Sequence, residues 1–223
     1  MRVVYHKEPF KIKTLPLTDI HVIDNWLTPE LWAFFNEKIS QMNIWSQSNQ
    51  VYKFGKIRHR FWGCTFFREN YRLEHDMNPE YSYFVEFLDR KLQHEFGFKW
   101  TDFQYAGMNS QTEGLQGTIH EDCPDDMPNN LSFLWYNQTY WPKRFGGKLR
   151  IYDSSGKDIS GFHSDFAEEH QVAEIDYIPN RLLVFDGRLP HNADAPVKSK
   201  YHPRTSLVIR GNDVRLCTKE EFY

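Results

Sequence analysis

Over the first 25 residues, apolar positions come in short bursts: Phe10, Ile12, Leu15, Leu17, Ile20, Val22 and Ile23 stand among polar partners, as in short extended pieces. The texture then turns helical. Thr28-Pro29-Glu30 offers a capping hydroxyl, a proline suited to the first helical position and an acid for the first turn. Leu31, Phe34, Phe35, Ile39 and Met42 follow at helical spacing, so a helix with one apolar face is expected there. A second helix is expected from about Pro79 to Phe96, where Tyr83, Phe84, Phe87, Leu88, Leu92 and Phe96 recur three or four residues apart. Between the helices, Lys53 to Trp62 nearly alternates polar and apolar residues and reads as a half-exposed strand, although its mixture of cations and aromatics would also suit stacked bases and phosphates. From Asp102 onward, short apolar or alternating runs lie between turn residues, as in SFLWY, KLRIYD, EIDYI, RLLVFD and TSLVIRG. Helices that precede strands instead of alternating with them argue against a parallel doubly wound sheet, and the second half reads as a sandwich or jelly roll.

Composition narrows the picture. At 223 residues, 40% hydrophobic and 17% aromatic, the chain can bury a sizeable core, and one domain is expected. No run approaches the roughly 18 apolar residues of a membrane span, and MRVVYHKEPF lacks the apolar stretch of a secretory signal, so a cytoplasmic protein without membrane contact is expected. The cysteines Cys64, Cys123 and Cys217 have no CxxC spacing, which predicts reduced thiols and no thiolate zinc site. A formal net charge of -3 argues against binding nucleic acid through a global positive field. Phosphate-cradling GxGxxG and GxxxxGK[ST] motifs are absent. Nothing in the sequence indicates an oligomeric state.

The candidate chemistry starts from one of ten histidines. In Thr118-Ile119-His120-Glu121-Asp122, the His-x-Asp spacing puts residues 120 and 122 on one face of an extended segment, because strand side chains alternate. That pair alone is a weak signal, and a third ligand is required. The apolar run from Arg181 to Asp186, followed by a Gly and Pro turn, ends in His191, where a strand end can point inward. Two histidines and a carboxylate cover one face of an octahedral Fe(II) and leave three positions open. A closed structural zinc site wants a fourth protein ligand, and none is apparent; catalytic zinc with three ligands remains compatible with these residue types. His163, His170 and His202 lack the strand-and-turn setting of His191. Arg204 follows in Pro203-Arg204-Thr205-Ser206 on an expected strand. Facing inward, a guanidinium needs an anion and suits a carboxylate by bidentate hydrogen bonding, so an inward Arg204 implies a dicarboxylate, whereas an outward one is a surface arginine.

With these residues in order, the chain resembles the 2-oxoglutarate and Fe(II)-dependent oxygenases, especially their prolyl 4-hydroxylase-like branch. His120-Glu121-Asp122 looks like the family's His-x-Asp; Ser132 to Tyr136, then Trp141 and Gly146-Gly147 with Lys148 to Tyr152, resemble its strand, tryptophan and Gly-Gly strand; Pro179-Asn180-Arg181, LLVFDG, His191 and Arg204-Thr205-Ser206 are similar to its closing half. The resemblance covers about residues 100 to 213, and Val22 to Glu30 is similar to the approach to the first support helix. It implies a mainly β (α+β) chain: a double-stranded β-helix, a jelly roll of cupin-like shape, over 101–213, with 1–100 as a helical support region carrying the leading strands. It also implies Fe(II) on His120, Asp122 and His191; 2-oxoglutarate on Arg204, with Tyr136 and Ser206 assisting; O2 as the other co-substrate; and ascorbate as a reductant. The reaction implied is hydroxylation with release of succinate and CO2, on a peptide or protein substrate and first of all on a prolyl residue, by analogy with the branch. Aspartate at position 122 disfavours the halogenating variants, which leave that ligand position open.

Departures from the pattern bear on the substrate: the acidic Asp125-Asp126 loop, and Met108-Asn109-Ser110-Gln111 where the branch is tyrosine-rich. Two other readings stay open, an oxidative nucleic-acid demethylase of the same superfamily, drawing on Lys53 to Trp62, and a cupin-like protein that binds a small ligand without catalysis. Trp62, Phe66, Phe103, Tyr105, Phe133, Trp135 and Phe185 are candidates for cavity walls, with core packing the plainer role. Cys123, beside Asp122, is expected near the metal and open to oxidation.

Overall fold

A helix begins where Thr28-Pro29 predicts it. In this computed structural model, which describes residues 1–42, 44–53, 56–69, 75–77, 81–123, 127, 129–153, 169–218 and 221, α1 spans Pro29–Ser40 and the Thr28 hydroxyl accepts the Leu31 N–H. It buries Phe35 and Ile39, with Met42 just beyond its end, but Phe34 is 43% exposed. Neighbouring helical positions differ by about 100° of rotation, so one flat support cannot bury both phenylalanines; Phe34 instead packs edge-on against Phe35 and under Lys38. The second helix, α2, spans Ser82–Phe96 and ends at Gly97, whose positive φ of 73° lets its N–H reach Gln93 O. Tyr83 and Phe87 are exposed, while Phe84, Leu88, Leu92 and Phe96 are buried. No helix among the described residues is long and apolar enough to cross a membrane.

Among the described residues, twelve strands form two sheets: β1 Val3–His6, β2 Ile20–Ile23, β3 Ser46–Lys53, β4 Lys56–Glu69, β5 His75–Met77, β6 Phe98–Gln111, β7 Leu131–Tyr136, β8 Leu149–Tyr152, β9 Gln171–Ile175, β10 Arg181–Phe185, β11 His191–Ala193 and β12 Arg204–Leu216. The larger sheet runs β1-β2-β10-β7-β12-β6-β4-β3, with β5 on β4; the smaller is β11-β8-β9. The fold is the expected jelly roll of cupin-like shape, mainly β with two helices bracing one sheet. Strand β9 lies three residues ahead of the expected run Glu174 to Ile178, with Asp176-Tyr177-Ile178 leading irregularly into the turn at Pro179-Asn180.

The larger sheet is apolar on both faces, which is why β7 reads as a nearly unbroken apolar run and is buried throughout. Leu131, Phe133 and Trp135 point to the helices with Leu182, Val184, Leu207 and Ile209, whereas Leu134 and Tyr136 point between the sheets with Leu183, Phe185, Ile151 and Ile175. The two faces follow the two-residue period of a strand. Asn180 ties them together: its side chain bonds both backbone groups of Leu27 and receives Trp135 Nε1, its left-handed φ of 58° turning the chain into β10. Arg181 then reaches Asp24 through two nitrogens at 2.6 and 2.9 Å.

The support region contains more sheet than the sequence reading expected. Strands β3, β4 and β5 within residues 46–77 extend the larger sheet past β6, where β4 pairs from Trp62 to Arg68. The run from Lys53 to Trp62, expected as one strand, is divided between two, Lys53 ending β3 and Lys56 opening β4 antiparallel to it; only Trp62 of the run pairs with β6, and Phe54 and Gly55 lie outside the described residues. Asp125-Asp126 and His163 also lie outside them.

Candidate metal centre and its cavity

Residues 117–120 run beside β11 without forming a regular strand. Gly117 N–H reaches Ala193 O, and His120 and His191 exchange both backbone hydrogen bonds, at 3.0 and 2.9 Å. The two imidazoles therefore stand side by side, with centroids 4.5 Å apart. Asp122 sits in a bend rather than on the extended segment expected, and its N–H is fixed on Gly187 O at 2.8 Å. The turn that precedes His191 thus also places the carboxylate.

The ligand atoms of His120, Asp122 and His191 all lie within 4.8 Å of one another. Both imidazoles engage a backbone carbonyl through Nδ1, His120 with Thr118 O at 2.9 Å and His191 with Leu189 O at 2.8 Å. A carbonyl can only accept, so each Nδ1 carries the proton and each Nε2 offers a lone pair, the tautomer a metal requires. Those Nε2 atoms face Asp122, at 3.9 Å from His120 and 3.7 Å from His191. Burial brings the His191 imidazole down to about 4 against the pull of Asp122, so it is neutral at ordinary pH. Burial pushes the Asp122 carboxyl up, but His191, Arg210 and His120 outweigh it and hold the group below the usual carboxylate range.

Both carboxylate oxygens of Asp122 are oriented. Arg210 Nη1 donates to Oδ1 at 2.9 Å, and Ser132 Oγ donates to Oδ2 at 2.8 Å. Arg210 in turn stacks on Tyr105, 5.0 Å from its ring centre. A Cβ on Gly187 would meet Ser132 Oγ at 2.7 Å, Asn130 Oδ1 at 2.9 Å and Asp122 Cβ at 3.3 Å. Only glycine fits there.

These ligands line a cavity of about 550 Å³, within the size range of small-molecule sites. Arg204 enters it from β12 and is 2% exposed, facing inward as an anion-binding arginine would. Its Nε donates to Gly147 O at 2.7 Å and its Nη1 to Gln111 Oε1 at 3.0 Å, while Nη2 has no partner among the described residues. The tyrosines Tyr136 and Tyr177 flank the guanidinium, 5.1 and 5.0 Å from ring centre to Arg204 Cζ. The Tyr136 hydroxyl is buried without a partner, and burial raises it above the ordinary tyrosine range despite the Arg204 charge. Gly147, at φ 73°, lets the chain pass so close that a Cβ would stand 2.9 Å from Arg204 Cδ, which gives the Gly-Gly pair its purpose. Ser206 lines the cavity, as does Thr118, whose buried Oγ1 is also without a partner.

Of the aromatic candidates, Tyr105 and Phe185 line the cavity; Phe66, Phe133 and Trp135 are buried on the helix side, Phe103 packs against the same cluster, and Trp62 is 43% exposed. The wall role fails for these five because strand alternation, with the register shifts in β4 and β6, turns them away from the cavity. Cys123 is buried beside Asp122, and burial, with Asp186 and Asp122, pushes its thiol up to about 12, contrary to the expected ease of oxidation. His170 sits 3.4 Å from Asp153 and His202 packs on Phe145, both apart from the cluster. Sequence reasoning missed Ser132, Arg210, Gln111 and Gly187; the only signal was that Arg210 shares the strand face of Arg204, six residues on.

The fold is that of the 2-oxoglutarate and Fe(II)-dependent oxygenases. Among the solved structures that share it are a prolyl hydroxylase from Trichoplax adhaerens in complex with a hypoxia inducible factor oxygen degradation domain peptide fragment, at 17% identity and TM-score 0.58 over 87% of this chain and 83% of that one; an oxidoreductase of the 2OG-Fe(II) oxygenase family from Burkholderia pseudomallei, at 12% and 0.59 over 86% and 84%; and a prolyl-4-hydroxylase from Pseudomonas putida, at 16% and 0.50 over 86% and 90%. At these identities the likeness is one of fold. No family model matches the sequence, and no curated protein sequence does.

Proposed function

We propose that this chain is an Fe(II)- and 2-oxoglutarate-dependent oxygenase that hydroxylates a peptidyl residue, proline first, with residues 1–223 working as one domain. The observation that carries the reading is one cavity holding both a His-Asp-His set with its Nε2 atoms ready and a buried arginine with an unpartnered nitrogen. His120, Asp122 and His191 would hold the metal. Arg204 Nη2 and the Tyr136 hydroxyl would take the distal carboxylate of 2-oxoglutarate, and a buried guanidinium nitrogen left unpaired is costly enough to need such a partner. When bound, Fe(II) and 2-oxoglutarate supply oxidative decarboxylation with O2 to succinate and CO2 and transfer of an oxygen atom into a substrate C–H bond.

The protein's own part is orientation and dryness. Arg210 and Ser132 keep Asp122 in one pose, Gln111 and Gly147 O aim Arg204, and Leu134, Leu149 and Phe185 form apolar walls that exclude water. The peptidyl substrate is supported by the peptide complex of the Trichoplax adhaerens prolyl hydroxylase, carried over with the fold. Of the segment Lys53 to Trp62, on which the oxidative-demethylase reading draws, Phe61 lines the cavity, while Arg58, Arg60 and Trp62 are exposed outside its lining.

The test is anaerobic titration of the metal-free protein with Fe(II) and then 2-oxoglutarate, following the weak visible charge-transfer band. The band is expected in wild type, absent in His191→Ala, and shifted to at least tenfold more 2-oxoglutarate in Arg204→Ala, the scale of a lost charge-assisted pair. No band in folded, metal-loaded wild type would sink the assignment.

A further inference from the structure

Among the described residues, the cavity contains one cation that the proposed chemistry does not use. Arg68 lies on β4 opposite Tyr105 of β6, on the face turned toward the metal ligands, and it lines the cavity at its exposed rim. The other two lining arginines are committed, Arg204 to Gly147 O and Gln111 and Arg210 to Asp122. Arg68 makes no ion pair or hydrogen bond among the described residues.

Charge balance says what it awaits. Among the described residues, the lining holds three arginines and one aspartate, an excess of two positive charges. A metal dication and a 2-oxoglutarate dianion cancel each other, so the excess persists in the loaded site. Low-dielectric walls of Phe61, Val51 and Leu149 strengthen the pull of that excess on whatever enters.

We infer that Arg68 is a specificity residue that binds the carboxylate of an acidic side chain flanking the target residue in a peptide substrate. This rests on the oxygenase reading above. A single free guanidinium matches a single carboxylate by paired N–H···O bonds. A nucleic-acid strand, with a phosphate at every nucleotide, would want a row of cations, and Arg58 and Arg60, three residues and one residue before the lining Phe61, are not in the cavity lining.

The experiment uses fluorescein-labelled, proline-centred octapeptides that place Asp, Asn or Lys in turn at each flanking position. Binding is read by anisotropy to anaerobic protein loaded with Fe(II) and 2-oxoglutarate, and again to the metal-free protein. At one flanking position Asp is expected to bind roughly tenfold or more tighter than Asn, the scale of one charge-assisted pair. Arg68→Gln is expected to erase the preference, Arg68→Lys to restore part of it, and Arg68→Glu to transfer it to Lys, which a merely structural role would not do. A profile that is flat, or unchanged in Arg68→Gln, overturns the inference. Labelled oligothymidylate that displaces the peptides from wild type but not from Arg68→Gln overturns the peptide assignment in favour of phosphate. The two readings fail separately: loss of the visible band in wild type sinks the co-substrate site, whereas a flat peptide profile in protein that shows the band sinks the role of Arg68.

Discussion

Two glycines set the site residue by residue, and they predict separable defects. Gly187 passes beneath Asp122, Ser132 and Asn130 with no room for a methyl group, while Gly147 passes beneath Arg204. Gly187→Ala displaces the ligand carboxylate and is expected to weaken Fe(II) roughly ten- to a hundredfold, the usual cost of disturbing what orients a ligand. Anaerobic competition with a chromophoric chelator measures it. Gly147→Ala is expected to leave Fe(II) affinity within about twofold and to raise the 2-oxoglutarate requirement at least tenfold, since it moves only the arginine. Equal effects of both variants on Fe(II) would contradict this division. At this scale the sequence was legible where chemistry is local: His120, Asp122, His191 and Arg204 announce themselves by residue type and spacing, and the cavity brings all four together. Ser132 and Arg210 were not legible, because Asp122 meets them across ten and 88 residues of chain.

At the scale of elements, the docking of β1 on β2 responds to pH. The strands are parallel, with His6 opposite Ile23 and His21 opposite Val4. His6 Nε2 and His21 Nδ1 lie 2.9 Å apart, and both rings stack on Phe10 at 4.1 and 4.2 Å. Burial, and next the nearness of His6, bring His21 from its ordinary 6.5 to about 4 despite Asp19; burial lowers His6 as well. The unfolded chain therefore binds protons that the folded one refuses. Stability from this pair is whole above pH 6.5 and is lost as pH falls toward about 4. Urea midpoints measured between those limits should fall with pH in wild type, and less steeply in His21→Phe, which keeps the stack on Phe10 without the proton. Parallel slopes in the two proteins would count against the pair; His191, brought down to the same range, contributes equally to both slopes and cancels. Both helices and the runs after Asp102 were legible from periodicity. Strands β3 to β5 were less so, because a strand in that stretch is favoured by the open edge of β6 and not by its own sequence alone.

Across the whole molecule, one sheet separates stability from chemistry. Its helix side is packed by Leu88, Phe35, Phe84 and Trp135, and its inner side carries Arg204, Arg210 and Ser206 toward the metal ligands, which lie on and beside β11 of the smaller sheet. Leu88→Ala empties a fully buried site and is expected to cost about 2–5 kcal/mol, read as a lower urea midpoint, while the Fe(II) and 2-oxoglutarate titration of the folded protein stays as in wild type. A changed titration would mean that the two faces are mechanically coupled. The sequence by itself determined which residues could chelate a metal, which could meet a carboxylate, and where helices and strands run, because these depend on side-chain chemistry and on periods of two and 3.6 residues. Tertiary structure alone decided that Asp122 is reached from a bend and not from a strand, that Phe133 and Trp135 turn away from the cavity, and that Arg210, Ser132 and Gly187 converge on one carboxylate. It alone left Arg68 facing the same space. The reason is physical: such contacts arise from the register between strands far apart in the chain, and a shift of one residue would send each side chain to the opposite face.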